Sequence, residues 1–211
     1  MERLGIFGGT FDPIHHGHLA IAEAARQELA LERVLFVPAA QQPLKQRHAA
    51  PAAERLELVR LATAGNPAFA VSTLELERPG PSYTADTLAA IRAAHPGAAL
   101  WFIIGADATR WLPQWHRLDR VVAEARLGVI TRPGYELDLD ALAAGQPLLA
   151  GRMDLLAAPR LDISATELRE RIAAGRSIRY LVPDSVAARI AAAGLYQSRP
   201  NDQGPREGAS Q

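Results

Sequence analysis

The chain has 211 residues, 48% hydrophobic and 22% charged, which marks a globular chain with a substantial core and excludes a disordered one. Lys+Arg and Asp+Glu both number 23, and this zero formal charge argues against a broad nucleic-acid surface while leaving a small anionic ligand open. Cysteine is absent, so disulfides, thiolate metal sites and a cysteine nucleophile are excluded.

The first predicted strand is Arg3–Phe7. It runs into a turn, Gly8-Gly9-Thr10-Phe11-Asp12-Pro13, and then into two histidines three apart, His15 and His18, which bracket Gly17. Leu19, Ile21, Ala22, Ala25 and Leu29 follow at helical spacing, so a helix is predicted over Gly17–Leu29. Further strands are predicted at Val34–Val37, Ala70–Ser72, Leu100–Ile104 and Leu127–Thr131, with a weaker candidate at Asp154–Ala157. Several are continuous apolar runs, as expected of strands covered on both faces. Helices are predicted between them at Ala52–Ala64, Ala85–Ala94, Leu118–Ala125 and Asp140–Ala144. Alternation of this kind predicts an α/β fold: a Rossmann-like parallel sheet flanked by helices and joined by right-handed crossovers.

The end of the chain is predicted to be helical only. Ser164-Ala165-Thr166-Glu167 reads as a capping box opening a helix that runs to Ala174, with Gly175 as its stop. A last helix is expected over Asp184–Ala193, stopped by Gly194. No linker divides residues 1–197, which are expected to form one domain, and residues 198–211 lack an apolar period and are expected to be a disordered tail. The chain begins on a strand with no signal-peptide pattern, and no apolar run approaches the roughly 20 residues of a spanning helix. A cytoplasmic protein without a membrane partner is the expectation.

Strand, glycine turn, histidines and helix start, in that order, make an anion site. A helix N-terminus carries unpaired N–H groups and partial positive charge, and two imidazoles there add donors for phosphate oxygens. Ser164, Thr166 and Arg169 supply hydroxyls and a guanidinium at a second helix start, although Ser-x-x-Glu alone is an ordinary cap. Pro81-Ser82-Tyr83-Thr84 reads as a turn with Thr84 capping the next helix. Gly105-Ala106-Asp107 ends a strand where open α/β sheets bind ligands, so Asp107 is either a ribose partner or a helix cap. Lys45, Arg47 and Arg132 lie in loops on the same edge, as solvated charges or phosphate partners.

These motifs resemble a known family. Gly-Gly-Thr-Phe-Asp-Pro followed by His15-x-Gly17-His18 is similar to the signature of the HxGH nucleotidylyltransferases; it is neither a dinucleotide GxGxxG fingerprint nor a P-loop. Ile163-Ser164-x-Thr166-x-x-Arg169 resembles that superfamily's second signature, which holds the ATP phosphates. Pro81-Ser82-Tyr83-Thr84-x-x-Thr87-Leu88 and Gly105-x-Asp107 with Leu112-Pro113-x-Trp115 resemble the bacterial nicotinate mononucleotide adenylyltransferases in particular. The loop departs from that pattern: Gln41-Gln42-Pro43-Leu44-Lys45 stands where the family has Asn-x-Pro-His-Lys.

The resemblance implies that ATP and nicotinate mononucleotide give nicotinate adenine dinucleotide and pyrophosphate. By the same analogy His15, His18 and Arg169 are the catalytic residues, and Gly8, Gly9, Thr10, Phe11, Ile163, Ser164 and Thr166 join His18 and Arg169 on ATP. His15, Lys45, Ser82, Tyr83, Thr84, Asp107, Trp115 and Arg132 are expected on the mononucleotide. Mg²⁺ is expected with ATP, held by phosphates and water rather than by protein side chains. Another HxGH nucleotidylyltransferase, of nicotinamide mononucleotide or phosphopantetheine type, and a non-catalytic nucleotide-sensing module are the alternatives.

Overall fold

The computed structural model describes residues 1–41, 48–131, 137–159 and 161–197. Six strands form one sheet: β1 (Arg3–Gly9), β2 (Arg33–Pro38), β3 (Phe69–Val71), β4 (Ala99–Gly105), β5 (Arg126–Thr131) and β6 (Met153–Ala157). Their order is β3-β2-β1-β4-β5-β6 and every pairing is parallel, as the alternating sequence pattern predicts. The weak candidate near Asp154 is a full edge strand, in register with β5 from Leu127↔Met153 to Thr131↔Ala157.

The helices are α1 (His16–Glu28), α2 (Ala52–Thr63), α3 (Leu74–Glu77), α4 (Thr84–Ala94), α5 (Leu118–Glu124), α6 (Leu139–Gly145), α7 (Ala165–Ala173) and α8 (Asp184–Ala192). Strand side chains alternate between faces, so each apolar run feeds two cores. Trp101 and Ile103 of β4 face one core, with Ala22 and Ala25 of α1, Leu58 of α2 and Val186 of α8. Leu100, Phe102 and Ile104 face the other, with Leu88 of α4 and Val121 of α5. A bidentate pair, Arg189 to Glu54 at 2.7 and 3.0 Å, fastens α8 to α2. Among the described residues no helix is long and apolar enough to cross a membrane.

Several local expectations are corrected. Thr84 is the first residue of α4 and Tyr83 occupies the cap position, with no side-chain cap bond. The Tyr83 carbonyl takes the N–H groups of Asp86 and Thr87, which starts the helix one residue early. Asp107 is not a cap either, because Gly105 caps a 3₁₀ helix over Ala106–Gln114. That helix and the single turn of α3 are too short for a periodic pattern, and Pro113 within the former weakens the helical signal further. Of the expected capping box, Ser164 Oγ does accept from Glu167 N at 3.1 Å, but the Glu167 carboxylate points forward to Arg171 at 3.6 Å. Gly175 and Gly194 stop their helices with φ of +66° and +60°, where a side chain would be strained.

Candidate active site

Strand order reverses between β1 and β4, and open α/β sheets bind ligands in the crevice at that switch point, outside the strands' C-terminal ends. The Gly8–Phe11 turn leaves β1 there and Asp107 leaves β4. A Cβ on Gly8 would come within 3.2 Å of the Phe102 ring, which would have to give by a few tenths of an ångström, so glycine lets this floor stay close to that ring. Phe11, with φ of +50°, folds its ring back over Gly9 and against the rings of Phe7 and His18. A phenylalanine in this left-handed region costs on the order of 1 kcal/mol, and the apolar seat of its ring offsets that.

The start of α1 is built on histidine where serine or aspartate is usual. His15 is the cap residue in extended conformation, and its N–H donates to His18 Nδ1 at 3.3 Å. An accepting Nδ1 puts the His18 proton on Nε2 in the neutral ring. The two imidazoles stack at 3.7 Å with 28° between their planes. Gly17 makes room for the stack, since a Cβ there would meet His15 Nδ1 at 3.0 Å. His15 is only 6% exposed, and its Nδ1 is buried with no hydrogen-bond partner. Burial, helped by the neighbouring charge of His16, pushes its pKa down to about 4, so the ring is neutral near pH 7.

The start of α7 lies against the start of α1. A cavity of about 240 Å³ is lined by His15, Gly17 and His18 on one side and Leu161, Asp162 and Ile163 on the other, with Thr131 at the end of β5. Arg169 reaches from α7 to the turn after β1, donating to the Asp12 carbonyl at 2.7 Å and to Thr166 Oγ at 3.1 Å. The structure thus brings together the two signatures from opposite ends of the chain. Ser164 and Thr166 are exposed at the rim and do not line this cavity.

The described residues among those expected on the mononucleotide side lie at this same sheet edge. Ser82 Oγ accepts from Ala40 N at 3.1 Å and Ser82 N donates to the Gln41 carbonyl, which seats the Pro81–Thr84 turn on the end of β2. Tyr83 stacks on His116 at 4.4 Å, and Trp115 meets Phe102 edge to face at 5.8 Å, so the two sequence segments meet through their rings. Asp107 is exposed and pairs with Arg110 at 3.0 Å. Lys45, Arg47 and Arg132 lie outside the described residues, as does the tail after residue 197.

Sequence reasoning missed several polar groups behind the site. The Asp12 carboxylate is 5% exposed and accepts from Ala49 N, Ala50 N and Tyr196 OH at 2.7, 3.1 and 2.8 Å. Burial and that carboxylate hold the Tyr196 phenol well above its ordinary pKa, which keeps it a donor. Arg55, wholly buried, donates to the Thr10 carbonyl at 2.7 Å and to those of Ala40 and Ala50 at 3.4 Å. Glu75, raised in pKa by burial, accepts from Thr87 Oγ at 2.6 Å behind the Ser82 turn. Arg55 had one visible signal: it falls on the buried phase of α2, one turn before Leu58 and Val59. Among the described residues no cluster of three or more His, Asp or Glu could hold a metal ion, and the carboxylate of Asp12, which sits behind the turn, is already committed to three donors.

Comparison with known proteins shows the family and the fold. The cytidylyltransferase-like family matches residues 6–171. A Herpetosiphon aurantiacus protein named "Probable nicotinate-nucleotide adenylyltransferase" is 52% identical over 93% of this chain and 99% of its own length. A Roseiflexus protein of the same name is 53% identical over 92% of this chain and 98% of its own. Among solved structures, Plasmodium falciparum nicotinic acid mononucleotide adenylyltransferase complexed with NaAD superposes with a TM-score of 0.75 at 19% identity, covering 93% of this chain and 98% of that one, a likeness of fold.

Proposed function

The chain belongs to the cytidylyltransferase-like family and, within it, to the nicotinate-nucleotide adenylyltransferases, and from that premise we propose that it transfers the adenylyl group of ATP to nicotinate mononucleotide. The products are nicotinate adenine dinucleotide, a precursor of NAD, and pyrophosphate. The observation that carries the reading is the cavity beyond the C-terminal ends of β5 and β6, where the stacked imidazoles of His15 and His18 at one helix N-terminus face the segment that leads into a second.

In this mechanism an oxygen of the mononucleotide phosphate attacks the α-phosphorus of ATP in line. The bond from that phosphorus to the oxygen bridging the β-phosphate breaks, and pyrophosphate leaves with that oxygen. The attacking phosphate is already ionised near neutral pH, so the protein needs no activated nucleophile; it positions the reactants and stabilises developing charge. His18, with Nε2–H as donor, and the neutral His15 hold the phosphates between the attacking and leaving groups. Gly8, Gly9, Thr10 and Phe11 present backbone beside them. Arg169 holds the departing pyrophosphate, with Ile163, Ser164 and Thr166 at the start of α7. Ser82, Tyr83, Thr84 and Trp115 form the pyridine side. Asp107, Lys45 and Arg132 complete the mononucleotide contacts. Mg²⁺ enters with ATP as part of the substrate, held by its phosphates and by water, a role that suits a site whose donors are imidazole and guanidinium. A reaction that draws on ATP is assigned to the cytoplasm.

The test is pyrophosphate release with MgATP and either the acid or the amide mononucleotide. Release with the acid, and much less with the amide, is expected. Equal release with both would overturn the acid assignment, and none with either would overturn the activity.

A further inference from the structure

Arg55 is a fully buried cation that meets no carboxylate within ion-pair distance among the described residues. Such a group is expensive to desolvate and persists where its donors do something an apolar side chain cannot. All of its bonds go to backbone carbonyls at the ligand edge of the sheet. The shortest goes to Thr10, in the turn after β1, and the others go to Ala40, after β2, and Ala50, just before α2. Asp12 binds the same segment from the other side, through the N–H groups of Ala49 and Ala50, while its own carbonyl receives Arg169. One guanidinium therefore joins the glycine turn to both flanks of the stretch between Ala40 and Ala50, and that joint abuts the Arg169 contact.

The consequence for the site follows from peptide planarity. In a trans peptide the C=O and N–H point in opposite directions. Arg55 holds the Thr10 carbonyl inward, so the Phe11 N–H is turned away from Arg55. Phe11 sits in the left-handed region, so this peptide adjoins a backbone conformation that costs energy to hold.

We propose that Arg55 is a positioning residue for adenylyl transfer: by fixing the Thr10–Phe11 peptide and both flanks of the Ala40–Ala50 stretch, it sets the backbone that receives the phosphates. The inference rests on the proposed activity. A planar five-donor fork suits three divergent carbonyls, and a lysine cannot satisfy them together.

The experiment compares wild type with Arg55→Lys and Arg55→Gln. Each is assayed well below its own melting temperature, with rates normalised to the folded fraction. Two readouts are taken: ATP affinity by calorimetry, and kcat for pyrophosphate release with MgATP and nicotinate mononucleotide. Both variants are expected to bind ATP about tenfold more weakly and to lose kcat on the order of 10²-fold, as displacement of reacting groups by about 1 Å can cause. Arg55→Lys retains the charge but gathers its donors on a single nitrogen, and is expected to stay folded; Arg55→Gln gives a second reading should it not. Variants that merely melt earlier, while their folded fraction binds ATP and turns over like wild type, overturn the role and leave the activity standing. A wild type that binds ATP but releases no pyrophosphate overturns the activity, and the affinity difference still decides what Arg55 does. A wild type that does neither overturns both.

Discussion

The two ends of the sheet both carry charged and aromatic side chains and use them differently. At the N-terminal end the polar groups are satisfied. Arg126 forks onto Asp154 at 2.6 and 2.7 Å, Asp154 also accepts from Trp101 Nε1 at 2.9 Å, and the Arg3 guanidinium lies 4.3 Å over the Trp101 ring while bonding the Leu29 carbonyl. The Arg126 contact above all holds the Asp154 carboxyl below its usual range. At the C-terminal end His15 keeps a buried nitrogen without a partner, Phe11 occupies the left-handed region, and Arg55 is buried to hold carbonyls. The satisfied end locks the strands together. The other end stores unspent hydrogen-bonding capacity where two helix N-termini converge, which is the physical difference between a structural cluster and a site.

That contrast can be broken by mutation and pH. The largest effect expected is on stability against acid. In the unfolded chain His15 titrates near 6.5, while in the folded protein burial lowers this to about 4. The unfolded state therefore binds the extra proton first as pH falls, so this contribution is whole above about pH 6.5 and is lost as pH drops towards 4. It amounts to about 3 kcal/mol, and His15→Asn is expected to flatten that part of a denaturation-versus-pH curve. An unchanged acid slope in that variant would contradict the burial argument.

At the other end, Asp154→Asn should cost about 1–2 kcal/mol in chemical denaturation while the folded protein turns over normally. A large fall in kcat there would erase the division between the two ends. The smallest effect is at α7: Ser164→Ala removes the bond to Glu167 N and should cost about 1 kcal/mol. If Ser164 also meets ATP, as proposed, the KM for ATP rises in the same variant, whereas a cap alone leaves it unchanged.

The strands were legible because a parallel sheet covered on both faces demands continuous apolar runs, and β1, β4 and β5 have them. The order of the strands was not, since no local pattern says which edge of β1 the fourth strand joins. The approach of Arg169 to the turn after β1, and of Ile163 to His15 and His18, was readable only through resemblance, because nothing in the spacing of residues so far apart brings them together. Asp12, Tyr196 and Arg55 escaped for a related reason. Asp12 and Arg55 bond backbone groups distant in sequence and Tyr196 bonds the far-off Asp12 carboxylate, so each looks like an ordinary turn, tail or helix residue until the chain is folded. Tyr83 and His116 stack across different loops and were equally invisible.

The most direct test of the account is the rate of pyrophosphate release by His18→Ala with MgATP and nicotinate mononucleotide, measured beside its melting temperature. Loss of this donor should lower kcat on the order of 10²-fold or more, with the melting temperature nearly unchanged. Near-normal turnover by a fully folded variant would contradict the claim that the imidazole pair at the start of α1 stabilises charge at the reacting phosphates.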